Sequence, residues 1–216
     1  MNASAEEPPL PKLYYDGPED APHGVILTHG AGAPVTDPFL ETITAGFVAR
    51  GVRVVRFEFP YMEKRREDGK KRGPDRAPVL ETTWRNVIEH LGGGARWVIG
   101  GKSMGGRIAS MVAEPVGARG LVCFGYPFHP PGRPERLRTA HLESIETPTL
   151  IVQGTRDALG SREEIDGLTL SPRIRFLWLM DGDHSFKPRK RSGETVSAHL
   201  ERAVECAVEF VIDCGP

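Results

Sequence analysis

A serine with glycine two residues before it and glycine two residues after it, Gly101-Lys102-Ser103-Met104-Gly105, constrains this chain more than any other feature. Arg96-Trp97-Val98-Ile99-Gly100 before it reads as a short buried strand, and Arg107-Ile108-Ala109-Ser110-Met111-Val112-Ala113 after it reads as a helix. A serine on a sharp strand-to-helix turn is held in a strained backbone with its hydroxyl clear of the sheet. The flanking positions must be tiny for the chain to pass, and Gly106 adds further room. Five residues of this type arise easily by chance; between a strand and a helix they form a nucleophile elbow. The Gly-Lys-Ser within them is not a phosphate loop, because the glycine that such a loop needs at position 96 is Arg96, inside the predicted strand.

A serine hydroxyl is a weak nucleophile near neutral pH and needs a base, which in turn needs an orienting group. On elbows of this kind the chain order is Ser, then Asp or Glu, then His. Downstream, Thr147-Pro148-Thr149-Leu150-Ile151-Val152-Gln153-Gly154 reads as a strand and is followed by Thr155-Arg156-Asp157. Ile174 to Leu179 is another strand, running into Met180-Asp181-Gly182-Asp183-His184-Ser185-Phe186. Ser103, Asp157 and His184 therefore all fall just past the carboxyl ends of strands, which a parallel sheet gathers on one edge. Asp181 and Asp183 flank His184, but neighbouring side chains point apart, so Asp157 is the expected acid.

An oxyanion hole needs two backbone donors. Val25 to Thr28 reads as a strand, and the small-residue loop His29-Gly30-Ala31-Gly32-Ala33-Pro34 follows. Ala31 and Met104 are the expected N–H donors, with Gly32 the alternative to Ala31. Gly30, Gly32 and Phe186 are expected to contact substrate, although Phe186 could instead pin the histidine loop. His29 reads as a residue that fixes the loop by hydrogen bonding.

These four motifs resemble those of the α/β-hydrolase fold in its small, cap-less, dienelactone-hydrolase-like form. The resemblance covers the chain from about Leu13 onward. More narrowly, the chain is similar to a branch of bacterial predicted hydrolases related to a testis-expressed protein and to a subunit of the non-specific lethal chromatin complex. It implies a three-layer α/β/α sandwich with a mostly parallel, doubly wound sheet. Many relatives insert a lid after the strand that here is Gly120 to Phe124. Only some twenty proline-rich residues follow it before the next strand, with room for a short helix over 135–141 and none for a lid domain. The site should be open and shallow.

The length of 216 residues suits one domain over 12–216, with 1–11 a flexible tail. A helix from Pro38, capped by Thr36 or Asp37 and ended at Gly51, precedes a strand over 52–57. Val79 to Leu91 and Glu194 to Val211 read as further amphipathic helices. No run approaches the roughly 18 apolar residues of a membrane span, and the acidic, proline-rich start is not a signal peptide. Cys123, Cys206 and Cys214 form no metal or redox pattern and fit reduced thiols in a cytoplasm, Cys123 as core. His23, His90, His129, His141 and His199 lack ligand spacing, so neither metal nor cofactor is implied. Trp84, Trp97 and Trp178 read as packing residues.

Net charge is −1. Yet residues 64–76 hold seven basic side chains against three acidic, and residues 187–191 add four more. Both segments, with Arg133, Arg136 and Arg138, read as loops leaving the catalytic edge. They are either a solvated face or a basic rim that steers anionic substrates such as carboxylated or phosphorylated esters or coenzyme A thioesters. No aromatic stacking pattern accompanies them, which argues against nucleic acid. The expected activity is hydrolysis of a small, candidate anionic ester or thioester through a Ser103-His184-Asp157 triad and an acyl-enzyme. The alternative is an interaction protein on a hydrolase scaffold with little or no turnover; a cofactor-free perhydrolase or lyase on the same triad also stays open. Oligomeric state is not legible.

Overall fold

The computed structural model describes residues 8–215. Seven strands form one sheet: β1 (Leu13–Asp16), β2 (Gly24–Thr28), β3 (Arg53–Phe57), β4 (Val98–Lys102), β5 (Gly120–Phe124), β6 (Thr149–Gly154) and β7 (Ile174–Leu179). Their spatial order is β1-β3-β2-β4-β5-β6-β7, and every pairing is parallel except β1 with β3. The chain first winds outward from β2 to β3, then returns to β4 and proceeds the other way. The reversal point lies between β2 and β4, where the crevice at the carboxyl ends of a doubly wound sheet takes its ligand.

The strands are apolar on both faces because helices cover both. Alternation sorts Ile26, Val55, Ile99, Leu121, Cys123 and Ile151 to one side, and Val25, Leu27, Val54, Val98, Val122 and Val152 to the other. The first set packs on α3 (Ala77–His90) and α4 (Met104–Val112) through Trp84, Val87, Ile88, Ile108 and Val112. The second packs on α1 (Pro38–Val48) and α6 (Val196–Asp213) through Ile43, Phe47, Val204, Ala207 and Val211. Asp37 caps α1, its carboxylate accepting from the Phe39 N–H at 3.0 Å, with Pro38 in the first turn.

Several boundaries and elements depart from the sequence expectation. Strand β4 runs on through Lys102, and α4 begins at Met104, so no loop separates the serine from either element. Residues 64–68 are not loop: they belong to α2 (Pro60–Asp68), which starts at a proline and ends on the left-handed Gly69. The helix expected over 135–141 does not form; that stretch holds only a 3-10 turn at Ala140–Leu142. Its backbone is engaged elsewhere, the Arg138 N–H donating to Phe128 and the Arg138 carbonyl accepting from the Tyr126 hydroxyl. No lid lies between β5 and β6. Of the expected tail, residues 1–7 lie outside the described residues; within 8–11, Pro11 is buried and the Pro8 carbonyl accepts from Asn86. Among the described residues no helix is long and apolar enough to cross a membrane, and Cys123, Cys206 and Cys214 are unpaired.

Candidate active site

Ser103 sits at φ 51° and ψ −116°, a conformation that non-glycine residues avoid. Two glycines make it possible. A Cβ on Gly105 would lie 2.7 Å from the carbonyl oxygens of both Thr28 and His29, and one on Gly106 would lie 2.8 Å from the Gly101 carbonyl. The elbow is thereby pressed against the ends of β2 and β4, and the Ser103 N–H donates to Phe124 at 3.0 Å.

The three residues expected from sequence meet at the carboxyl edge. The Ser103 Oγ lies 2.9 Å from His184 Nε2, and His184 Nδ1 lies 2.7 Å from Asp157 Oδ2. Asp157 is fully buried. Its second oxygen accepts from the Leu159 N–H at 2.8 Å, and the Gln153 amide donates to Oδ2 at 2.9 Å. Such a carboxylate fixes the imidazole with Nδ1 protonated and Nε2 free to take a proton from the serine. Neither neighbouring aspartate competes: Asp181 is bound by Arg189, and Asp183 Oδ1 accepts from the N–H groups of Ser185 and Lys187. Gln153 was missed from sequence, although a polar residue inside an otherwise apolar strand was its signal.

The loop after β2 is fixed by its own buried histidine. His29 Nε2 accepts from the Phe59 N–H at 3.1 Å while Nδ1 donates to Gly30 at 2.7 Å. Burial lowers its pKa to about 4, so the ring is neutral, as a loop-fixing residue must be. Tyr61, on the unexpected α2, donates to the Ala31 carbonyl at 3.0 Å and so turns that peptide. The Met104 N–H heads α4, where no intrahelical acceptor exists. Among the described residues the Ala31 N–H also has no acceptor.

Beside Ser103 opens a cleft of about 540 Å³. Gly30, Ala31 and Gly32 form one wall, and Phe39, Leu40, Val196 and Leu200 give it an apolar side that sequence did not indicate. Contrary to the expectation that it contacts substrate, Phe186 does not line the cleft. Its ring is fully buried, 5.3 Å from that of Phe39, in a residue whose φ is 65°. It pins the histidine loop from beneath.

The basic segments do not line the cleft either. Arg66 pairs with Glu58, Arg72 with Asp68 and Arg189 with Asp181, while Arg133, Arg136 and Arg138 border a separate shallow surface. The cleft's own lysine is Lys102. Among the described residues no three His, Cys, Asp or Glu side chains are placed to hold a metal ion.

A family model described as an alpha/beta hydrolase domain matches residues 21–212. The chain belongs to the α/β-hydrolase family. Its fold is shared by dienelactone hydrolase from Anabaena variabilis, with a TM-score of 0.71 at 18% identity over 94% of this chain and 92% of that one. A serine hydrolase without a lid from Xanthomonas campestris aligns with a TM-score of 0.67 at 19% identity, over 94% and 89%. A serine hydrolase homologue from Coxiella burnetii aligns at 0.62 and 19% identity, over 91% and 89%. With no lid between β5 and β6, the edge of this α/β-hydrolase that carries Ser103 and His184 opens directly to solvent.

Proposed function

We propose that this α/β-hydrolase cleaves a small ester or thioester through an acyl-enzyme on Ser103. One observation carries the reading: the unbroken chain from the Ser103 hydroxyl through His184 to the buried Asp157. His184 Nε2 takes the hydroxyl proton as Oγ attacks the carbonyl carbon. Asp157 holds the ring and stabilises the imidazolium. The N–H groups of Met104 and Ala31 receive the oxyanion, a contribution of about 3 kcal/mol per donor where such holes have been dissected. His184 then returns the proton to the leaving oxygen or sulfur. Water, activated by the same histidine, releases the acid and frees Ser103. The open cleft suits a short acyl group, and the unpaired thiols suit a reducing compartment.

The test is labelling with a fluorophosphonate on the native protein and on Ser103→Ala, with turnover of 4-nitrophenyl acetate alongside. Labelling and turnover that both vanish in the variant are expected. A folded native protein that neither labels nor turns over would overturn the reading. The resemblance to the testis-expressed and chromatin-complex branch would then favour a scaffold without turnover.

A further inference from the structure

Lys102 immediately precedes the nucleophile, at the last position of β4, and its side chain borders the cleft. Its ammonium donates to the carbonyl oxygen of His184 at 2.6 Å. The rings of Phe39 and Phe186 stand 5.3 and 5.6 Å from it. A Cβ on Gly125 would come within 2.7 Å of Nζ, so the glycine there makes room for the charged head. An ammonium carries three donors and no acceptor. One donor is spent on His184, and no carboxylate lies within ion-pair distance of Lys102 among the described residues. The cation thus keeps two donors unspent at the edge of the cleft, next in sequence to Ser103.

We propose that Lys102 is the anion-recognising group of this cleft, and that the substrate is an ester or thioester carrying one carboxylate on a short acyl chain. The inference rests on the hydrolase reading above and names its substrate class. Charge counting selects a monoanion. Asp37, which also lines the cleft, and Asp183 and Asp157 beside the histidine loop all act on the ammonium, so each negative charge on a ligand beyond the one that Lys102 pairs is opposed by carboxylates. A phosphate dianion would meet one cation and several carboxylates; a single carboxylate makes one charge-assisted pair. The acyl chain then lies along Phe39, Leu40, Val196 and Leu200.

The pH dependence has a definite sign. Burial lowers the Lys102 pKa to about 8, against the opposing pull of Asp157, Asp183 and Asp37. The ammonium is charged below that pH, so recognition of the carboxylate is full there and lost as pH rises through it. Because His184 acts on every substrate alike, the ratio between an anionic and a neutral ester isolates the lysine.

The experiment compares kcat/KM for monoethyl succinate with that for ethyl 4-methylpentanoate, in which an isopropyl group replaces the carboxylate. It uses the native protein and Lys102→Met, which keeps an unbranched chain between the two rings. The expected result is a preference for the succinate of tenfold or more that disappears in Lys102→Met and declines above about pH 8 in the native protein only. An equal loss on both esters, or a ratio unmoved by the substitution, would show that Lys102 merely clamps the His184 carbonyl and would overturn the proposal. Binding of succinamic acid and of butyramide to Ser103→Ala, measured by calorimetry, separates this from the hydrolase reading. Succinamic acid bound at least tenfold tighter, and no longer so in Ser103→Ala/Lys102→Met, supports the anion site even if native protein neither labels nor turns over. Equal binding of the two amides rejects it even if Ser103 is fully active.

Discussion

The serine turn and the histidine loop face each other across the Ser103–His184 hydrogen bond, yet they are held in place by largely different means. Around Ser103 the constraint is local and steric: Gly101, Gly105 and Gly106 let three backbone segments touch, and the strained φ of the serine follows. The loop that carries His184 has one glycine of its own, Gly182, and two of its non-glycine residues, Asp181 and Phe186, take positive φ values of 57° and 65°. That loop is clamped from afar. Lys102 holds the His184 carbonyl, His199 of α6 donates to the Phe186 carbonyl at 2.7 Å, and Arg189 grips Asp181. Ser103 is placed by what its neighbours lack, and His184 chiefly by what distant side chains supply.

The largest expected effect comes from the residue that joins the two halves. Asp157→Asn keeps the shape of the side chain but presents an amide where His184 needs an acceptor, which favours the wrong tautomer. A fall in kcat of about three to four orders of magnitude is expected, by analogy with the same change in serine proteases. Near-ultraviolet circular dichroism should be unchanged. A loss below tenfold in kcat would mean that His184 is oriented by its loop rather than by Asp157.

Gly105→Ala attacks the serine side alone. The added methyl meets two carbonyl oxygens at 2.7 Å and Thr28 Cγ2 at 2.8 Å, all in rigid strand and loop, so the backbone must move. Overpacking of this kind costs about 1–3 kcal/mol or more. Urea unfolding should show that loss together with abolished fluorophosphonate labelling. Retained labelling with lowered stability would separate the elbow's packing from its chemistry.

This contrast explains which parts of the fold and the site were legible in the sequence. Strands β2 to β6 were legible because burial on both faces writes itself as largely apolar runs, edge strand β7 because its residues are mostly apolar although only Leu179 is fully buried, and the elbow because sterics act between adjacent residues. Strand β1 was not: Leu13-Tyr14-Tyr15-Asp16 is an edge strand with one exposed and three half-buried side chains, and it lacks an apolar run. Helix α2 was hidden by its charges, which read as a soluble loop although Pro60 and Gly69 mark its two ends. Lys102 was part of the quoted motif, but its role depends on a carbonyl 82 residues away. His199 was read as a helix residue without a ligand spacing, because nothing near it in sequence announces the Phe186 carbonyl. Phe186 itself follows the histidine directly, and only the left-handed backbone turns its ring away from the cleft and into the core.

The loop bearing Ala31 is a third case, held from within by His29. In the folded protein burial lowers that pKa to about 4, while an unfolded chain protonates near 6.5. Between these values the unfolded state binds a proton that the folded state refuses, so stability falls as pH falls through the window. The linkage amounts to about 2.5 kcal/mol between pH 7 and 4.5. His29→Gln, whose amide can still donate and accept, should be less stable at pH 7 but should lack this component in urea titrations at the two pH values. An unchanged acid slope would place the protonating group elsewhere.

The smallest effect tests the histidine side through its remotest clamp. His199 is fully buried on α6 and does not line the cleft; its hydrogen bond to the His184 loop goes to the Phe186 carbonyl. Replacing it with leucine removes the donor, keeps apolar bulk and strands that carbonyl in the core, which costs about 1–3 kcal/mol. A merely structural role would stop there. If the clamp also sets the height of the imidazole, kcat should fall several-fold with KM nearly constant, because the Ser103–His184 contact lengthens while the cleft walls stay in place. His199→Gln, which can restore an N–H toward the same oxygen, should recover kcat more than it recovers stability. Recovery of stability without kcat would reverse the assignment and leave the imidazole's position to Lys102 and Asp157.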